Sequence, residues 1–593
     1  MNSKHIIQTF DRNAPWLVAF AYMAFLCAVA PLRTAFEFGA DEGYELMKSL
    51  LLSRGYHLYS PIWDDQPPLF TMLLACIFQV FGPTALAARL LVVFFSGVLV
   101  GSLYTIVRYR AGVLAAAAAA VLIIASSNFM ELSISAITEL PAMAAGLLSV
   151  AVLLHHYKQS EREVNDVSGF TGGLMGPLGS GDGPTNIDPA MVLLYSWWKH
   201  NRCLVSAGVL FGFALQIKFT SAIFCPVIVT EIFLATVRPI TRSRPHAGLD
   251  GAQTACRASS SARRSRYGAR DLLVWGGGAL GTVGALAAAF WRTDAWSTFT
   301  QAHFSETLNR AMQGTGAGYL FSLDYLRPDY SLCLAAIIGG GLVVWRRRWD
   351  LLSPIVLILT ALITHLHHQP YWYYYCLHFE IGLAWLAGIG IECARAEFGA
   401  TGLTNRCEGG VPLPPSIVWL LLISVITMGW FEGMDRSTKW ATSARSVSKV
   451  PLTVALTTNR VEARWVFTDR PAYVFQAGMA VPPELAVLSK KRFWTGQINS
   501  AAIVDVLRRY LPEIILLAGP LRQDFQYTEG GVTHRTVISR DAFGRYLKEG
   551  YSEIFSDSSG SLYARNDLVK SNSATSLSQK VAINELMMPA AVK

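Results

Sequence analysis

Long apolar runs separated by short polar loops dominate the chain, at 14–36, 84–107, 112–129, 141–157, 204–217, 219–237, 272–290, 331–345, 351–364, 373–391 and 417–430. The pattern predicts about eleven membrane-spanning helices, several of them short for the ~20 residues that a span needs. The run 69–81 is apolar but short and follows Pro67 and Pro68, so it reads as a helix lying in the interface. Residues 44–54 read as a second interfacial helix. From about residue 451 the periodicity changes: 465–469 and 513–518 read as strands, 501–510 and 541–550 as helices, and 552–555 and 561–565 as short strands. The expectation is an α-helical polytopic membrane protein, with a small C-terminal α/β extracytoplasmic domain at 432–566 behind a membrane domain at 14–431.

Composition agrees with this reading. Hydrophobic residues make up 52% of the 593 and charged ones 15%, where a soluble domain carries about 25%. The net charge of +9 comes from Arg and Lys grouped in loops, such as Arg108 with Arg110, the cluster from Arg238 to Arg270, and Arg346 to Arg348. That grouping predicts cytoplasmic loops and excludes nucleic acid as the partner. With residues 1–13 inside, eleven spans place the C-terminal domain outside, and 37–83 becomes the first external loop. The Gly-rich stretch 159–190 and the Ser/Ala/Arg-rich stretch 242–270 read as disordered cytoplasmic insertions, and 567–593 as a disordered tail. The nine cysteines form no CxxC pair, and none lies beyond Glu432, so a disulfide framework is not expected. The first apolar run is long and lacks a cleavage site, so it reads as a retained helix.

The polar residues that interrupt this pattern sit where expected outer helix ends meet loops. Asp41 and Glu42 follow the first span. A partly desolvated carboxylate there can accept a proton from a hydroxyl, or the acids can favour the dipole of the helix that follows. Asp64, Asp65 and Gln66 precede Pro67 and Pro68, where one Asp suffices as a cap. Glu139 stands before Pro141 as a functional acid or as a cap. Lys218, at the tip of a short helical pair, can hold a phosphate or reach to headgroups. His365, His367 and His368 precede Trp372, Tyr373 and Tyr374, which combine an interfacial aromatic belt with donors for a phosphate, a sugar or a metal.

In this order the motifs resemble the GT-C superfamily of integral-membrane glycosyltransferases, in the branch of the protein O-mannosyltransferases and the aminoarabinose transferase of lipid A. Asp41-Glu42 match its acidic pair, Asp65-Gln66-Pro67-Pro68 its acidic-X-Pro-Pro element, Glu139-Leu140-Pro141 its Glu-small-Pro, and Lys218-Phe219-Thr220 its Lys-apolar-Thr. Many relatives carry Lys where this chain has Gln66, so the resemblance implies phosphate binding by Lys218, by His367 and His368, or by arginines of residues 291–330. The resemblance implies transfer of a sugar from a polyprenyl-phosphate donor to an acceptor hydroxyl on a protein, lipid or glycan, with inversion. Asp41 and Glu42 would be the catalytic acids, and Asp64, Asp65 and Glu139 would orient substrate. Lys218, His367, His368, Tyr374 and Gln66 would face the donor phosphate. A divalent metal is left open. The competing reading is a transporter or flippase for a lipid-linked or anionic solute, although no internal repeat supports it. The expected location is a bacterial inner membrane with a periplasmic C-terminal domain.

Overall fold

The computed structural model describes residues 3–39, 41–170, 189–237, 250–314, 320–400, 415–459, 463–519, 521, 525–529, 532–536 and 542–572. The helical domain begins with α1 (Ser3–Val29), α2 (Glu42–Ser53), α3 (Leu69–Phe81), α4 (Ala85–Ala125), α5 (Ser127–Ile134), α6 (Glu139–Phe170) and α7 (Pro189–Ile217). It continues with α8 (Phe224–Val237), α9 (Asp250–Ala289), α10 (Ala295–Phe304), α11 (Glu306–Gly314), α12 (Tyr330–Trp345), α13 (Ser353–His367), α14 (Cys376–Ala400) and α15 (Pro415–Thr442). Among the described residues six helical stretches are long and apolar enough to cross a membrane, and four more are apolar but shorter. Backbone N–H and C=O groups have no partner in hydrocarbon other than one another, so long apolar runs fold as helices.

The two apolar runs at 84–107 and 112–129 join in α4, which breaks at Gly112. Its φ of 86° lies in the left-handed region that glycine alone enters readily. The centre of the bundle is α14, whose Leu377, Ile381, Ala384, Trp385 and Ile389 are buried against α4 and α12. At the periphery Leu273, Leu280 and Ile337 are exposed, as lipid-facing side chains are. Helix continues through 159–170 and 250–270, so these parts of the two expected insertions are helical. The rest of the insertions at 171–188 and 242–249, and the tail from 573 onward, lie outside the described residues.

Beyond α15 come α16 (Pro451–Thr458), β1 (Val466–Thr468), α17 (Pro471–Gln476), α18 (Lys490–Trp494), α19 (Ser500–Tyr510), β2 (Ile514–Leu517), β3 (Phe525–Glu529), β4 (Val532–Thr536), α20 (Ala542–Gly550), β5 (Tyr551–Ser556), β6 (Ser561–Arg565) and α21 (Asn566–Asn572). Four strands form one sheet in the order β1-β2-β6-β5, and β3 pairs with β4 in a hairpin. β1 and β2 run parallel, with Val466 opposite Ile514, and β6 runs antiparallel to β2. Residues from β1 and β2 are buried on both faces, which explains their continuous apolar reading.

This α/β domain is clamped onto the loop that follows α1. Phe36 N–H donates to Arg445 C=O (2.8 Å) and Val447 N–H to Thr34 C=O (2.8 Å). The Gln476 side chain donates to Phe36 C=O at 2.7 Å, and the Phe36 and Tyr473 rings lie 4.6 Å apart. Gly43 in α2 closes the contact: a Cβ placed there would stand 2.6 Å from the Ala472 nitrogen at the start of α17. Gly43→Val should therefore loosen the domain at a cost of about 1–3 kcal/mol. The expected readout is earlier release of the domain in limited proteolysis; a cleavage pattern identical to wild type would rule the contact out as a determinant of docking.

Candidate active site

The first loop, the starts of α2 and α6, the α7–α8 turn, residues 372–374 and the C-terminal domain enclose a cavity of about 400 Å³. Its walls carry Asp41, Glu45, Lys48, Asp65, Gln66, Glu139, Lys218 and Tyr374 from the helical domain, and Arg470, Lys490 and Lys491 from the C-terminal domain.

Asp41 occupies the N-cap position of α2, yet its side chain makes no capping hydrogen bond. The carboxylate turns to the cavity instead, where it is exposed. Protein nonetheless surrounds it, and this desolvation raises its pKa. Lys218 opposes the rise most, Glu45 and Asp65 add to it, and Lys491 opposes it as well.

Glu42, one residue on, takes a different course. Consecutive helical residues point about 100° apart, so Glu42 faces into the bundle and is completely buried. Arg89 of α4 donates to both its oxygens at 2.8 Å, and the N–H groups of Phe38 (2.9 Å) and Ala136 (3.1 Å) also donate to it. Arg89 donates as well to the carbonyls of Leu32 and Ala35. Glu42 thus pins the first loop to α4 and does not line the cavity, contrary to its expected place beside Asp41.

The acids of the second motif divide in the same way. Asp64 is buried and accepts from Lys48 Nζ (2.8 Å) and from the Gln66 N–H (3.0 Å). Lys48 also donates to Glu45 at 2.9 Å. Burial pushes the Asp64 pKa up to about 7, with Lys48 pulling it down and Glu45 adding to the rise. Asp64 shapes the loop from behind and does not reach the cavity where it was expected to orient substrate. Asp65 does reach it, accepting from Lys491 Nζ at 3.2 Å. Burial acts to raise the Asp65 pKa, but the Lys491 ammonium outweighs it and holds the carboxyl below its usual range.

Glu139 and Lys218 form a buried ion pair at the cavity wall. Lys218 Nζ lies 4.5 Å from the Tyr374 ring centre and 5.1 Å from that of Tyr375, a desolvated cation–π contact. Thr220 donates to Glu139 at 3.2 Å, and a ring nitrogen of His378 bonds to it as well. His378 in turn meets His365 at 2.7 Å.

Of the histidines expected at the donor phosphate, neither lines the cavity. His367 is exposed, its Nδ1 hydrogen-bonded to Ile363 C=O at 2.8 Å. His368 is half-buried, its ring 6.2 Å from that of His303. Burial first, then Lys491 and Lys218, lower its pKa to about 4, which keeps the ring neutral. The end of α13 turns His367 outward, and His365, two residues earlier, carries the inward contact.

Residues 65–175 match the family described as dolichyl-phosphate-mannose-protein mannosyltransferase. No curated protein sequence matches the chain. Among solved structures, the archaeal oligosaccharyltransferase AglB from Archaeoglobus fulgidus, in complex with an inhibitory peptide and a dolichol-phosphate, superposes with a TM-score of 0.50 at 12% identity, covering 95% of this chain and 81% of that one. ArnT from Cupriavidus metallidurans bound to undecaprenyl phosphate gives 0.50 at 13% identity, covering 95% of this chain and 98% of that one. The apo state of ArnT gives 0.51 at 12% identity, over 95% and 98% of the two chains. The chain has the GT-C fold. It is an integral membrane protein, as its apolar helices and this fold require.

Within the GT-C fold the cavity lies where the first loop and the C-terminal domain meet. Among the described residues no three His, Cys, Asp or Glu side chains converge as a metal site. The other acids on the wall are engaged: Asp65 with Lys491, Glu139 with Lys218 and His378, and Glu45 with Lys48. As arranged, the residues do not fit a divalent ion, and no step is assigned to one. Sequence reasoning missed Arg89, His378, Arg470, Lys490 and Lys491. Their local patterns are ordinary, and only their distant partners single them out.

Proposed function

We propose that this GT-C chain transfers a sugar from a polyprenyl-phosphate-linked donor to an acceptor hydroxyl, at the outer face of a bacterial inner membrane. The observation that carries the reading is Asp41: an acid at a helix N-cap that leaves its cap unmade and offers its carboxylate to a polar cavity at the helix ends. Asp41 takes the acceptor hydroxyl proton as the acceptor oxygen attacks the anomeric carbon. The bond from that carbon to the phosphate oxygen breaks with inversion, and its electron pair leaves with the phosphate. Lys218, fixed by Glu139 and set over Tyr374, faces the charge that develops on the leaving phosphate. Gln66 adds an uncharged donor from the same wall. The acceptor is a protein, lipid or glycan hydroxyl.

The test is consumption of a polyprenyl-phosphate hexose pool by the purified chain in detergent. Release of polyprenyl phosphate with a glycosylated acceptor is the expected result. Binding of the pool without any turnover would turn the reading toward transport. The pH profile is a second check. Asp41 is active only when ionised, and its pKa is raised, so kcat/KM should fall with unit slope on the acid side. That limb should centre above the ~4 of an ordinary aspartate. A limb at 4 or below would place the base elsewhere.

A further inference from the structure

The cavity walls divide by sign between the two domains. The helical domain contributes Asp41, Glu45, Asp65 and Glu139 against Lys48 and Lys218. Four acids and two lysines leave it net negative, hostile to a phosphate. The C-terminal domain contributes Arg470, Lys490 and Lys491 and no acid; Arg470 is paired with Glu37 of the first loop, so Lys490 and Lys491 supply the positive charge that offsets the acids. That compensation decides whether an anion enters.

Lys491 is built for the contact. It lies at the start of α18, is buried, and is held from two sides. Asp65 accepts from its Nζ at 3.2 Å, and His303 Nε2 lies 3.4 Å from it. His303 Nδ1 bonds to Phe299 C=O at 2.9 Å. A carbonyl only accepts, so Nδ1 carries the proton and Nε2 is left as an acceptor toward Lys491. Burial, then Lys491, lower the His303 pKa to about 3, which keeps the ring neutral. An ammonium has three N–H donors; Asp65 and His303 take two, and the third remains for a ligand in the cavity.

We infer that the C-terminal domain is the anion-binding half of this site, with Lys491 donating to the phosphate of the polyprenyl donor. This deepens the donor reading above and rests on it. The domain supplies a buried cation to a wall where the first loop offers the uncharged Gln66. Lys490 raises the local potential, and Lys491 makes the contact.

The experiment measures binding of undecaprenyl phosphate to the full-length chain in detergent, by quenching of tryptophan fluorescence, with uncharged undecaprenol as the control. A charge-assisted hydrogen bond is worth enough that Lys491→Gln should weaken binding of the phosphate by about tenfold or more, leaving undecaprenol binding unchanged. Lys491→Arg should recover part of the loss. Asp65→Asn separates the contact from a mere clamp. If Lys491 binds phosphate, releasing it from Asp65 preserves or tightens binding; if it serves only to dock the domain, Asp65→Asn weakens binding as Lys491→Gln does and overturns the inference. Equal phosphate binding by wild type and Lys491→Gln, or equal loss for undecaprenol, overturns it as well. Failure of wild type to bind undecaprenyl phosphate at all overturns the donor reading itself, a result distinct from the others.

Discussion

Asp41→Asn is expected to lower turnover by about 10²–10⁴-fold, the range for loss of a positioned general base, while binding of polyprenyl phosphate is kept or tightened. Asparagine has nearly the shape of aspartate, and Asp41 makes no cap hydrogen bond that the change would break. The substitution removes the proton acceptor and one negative charge from a cavity that has to admit an anion. These two consequences run in opposite directions, which makes the variant informative. A variant that binds donor and does not turn over fits the proposed role. A variant that turns over like wild type means that Asp41 is not the base. Loss of donor binding would mean that Asp41 shapes the cavity, in which case the rate says nothing of proton transfer.

The second large effect falls on folding. Arg89→Met should cost about 3–5 kcal/mol, because it leaves the Glu42 carboxylate charged and unpaired in a fully buried position. It also removes the donor shared by Leu32 and Ala35 carbonyls, so the first loop loses its anchor on α4. The expected readout is a large fall in melting temperature in detergent, or failure to accumulate. Glu42→Gln combined with Arg89→Met should restore part of the stability, since no buried charge is then left alone. If the double variant is no more stable than Arg89→Met, the loss lies in the loop carbonyls and not in the ion pair. Glu42→Gln alone should act through stability and leave the acidic limb of the rate profile where wild type has it.

The contrast between Asp41 and Glu42 shows where the sequence stops being informative. Both stood out as adjacent acids after the first span, and nothing in their neighbours separates them. The start of α2 sets their directions, and α4 decides the rest by presenting Arg89 to one of them. Asp64 and Asp65 part for the same reason: Lys48 claims the first from behind the loop, and Lys491 meets the second inside the cavity. In the histidine run the pitch of α13 turns His365 inward to His378 and leaves His367 exposed.

The sequence by itself determined the long apolar helices, the short apolar run that became α3, and four strands and two helices of the C-terminal domain (β1, β2, β5, β6, α19 and α20), but not the β3–β4 hairpin or the short helices α16, α17 and α18. Each depends on a periodicity that backbone hydrogen bonding imposes locally, in lipid by helix and in water by alternation or by a fully buried strand. It also singled out Asp41, Asp65, Gln66, Glu139, Lys218 and Tyr374, which line one cavity, since polar groups at the ends of apolar runs are costly enough to be conspicuous. Only the tertiary structure decided which carboxylates face the cavity and where its cations come from. Lys491 and Asp65 stand 426 positions apart in the chain, and the charge of a cavity is a property of walls that no single segment contains.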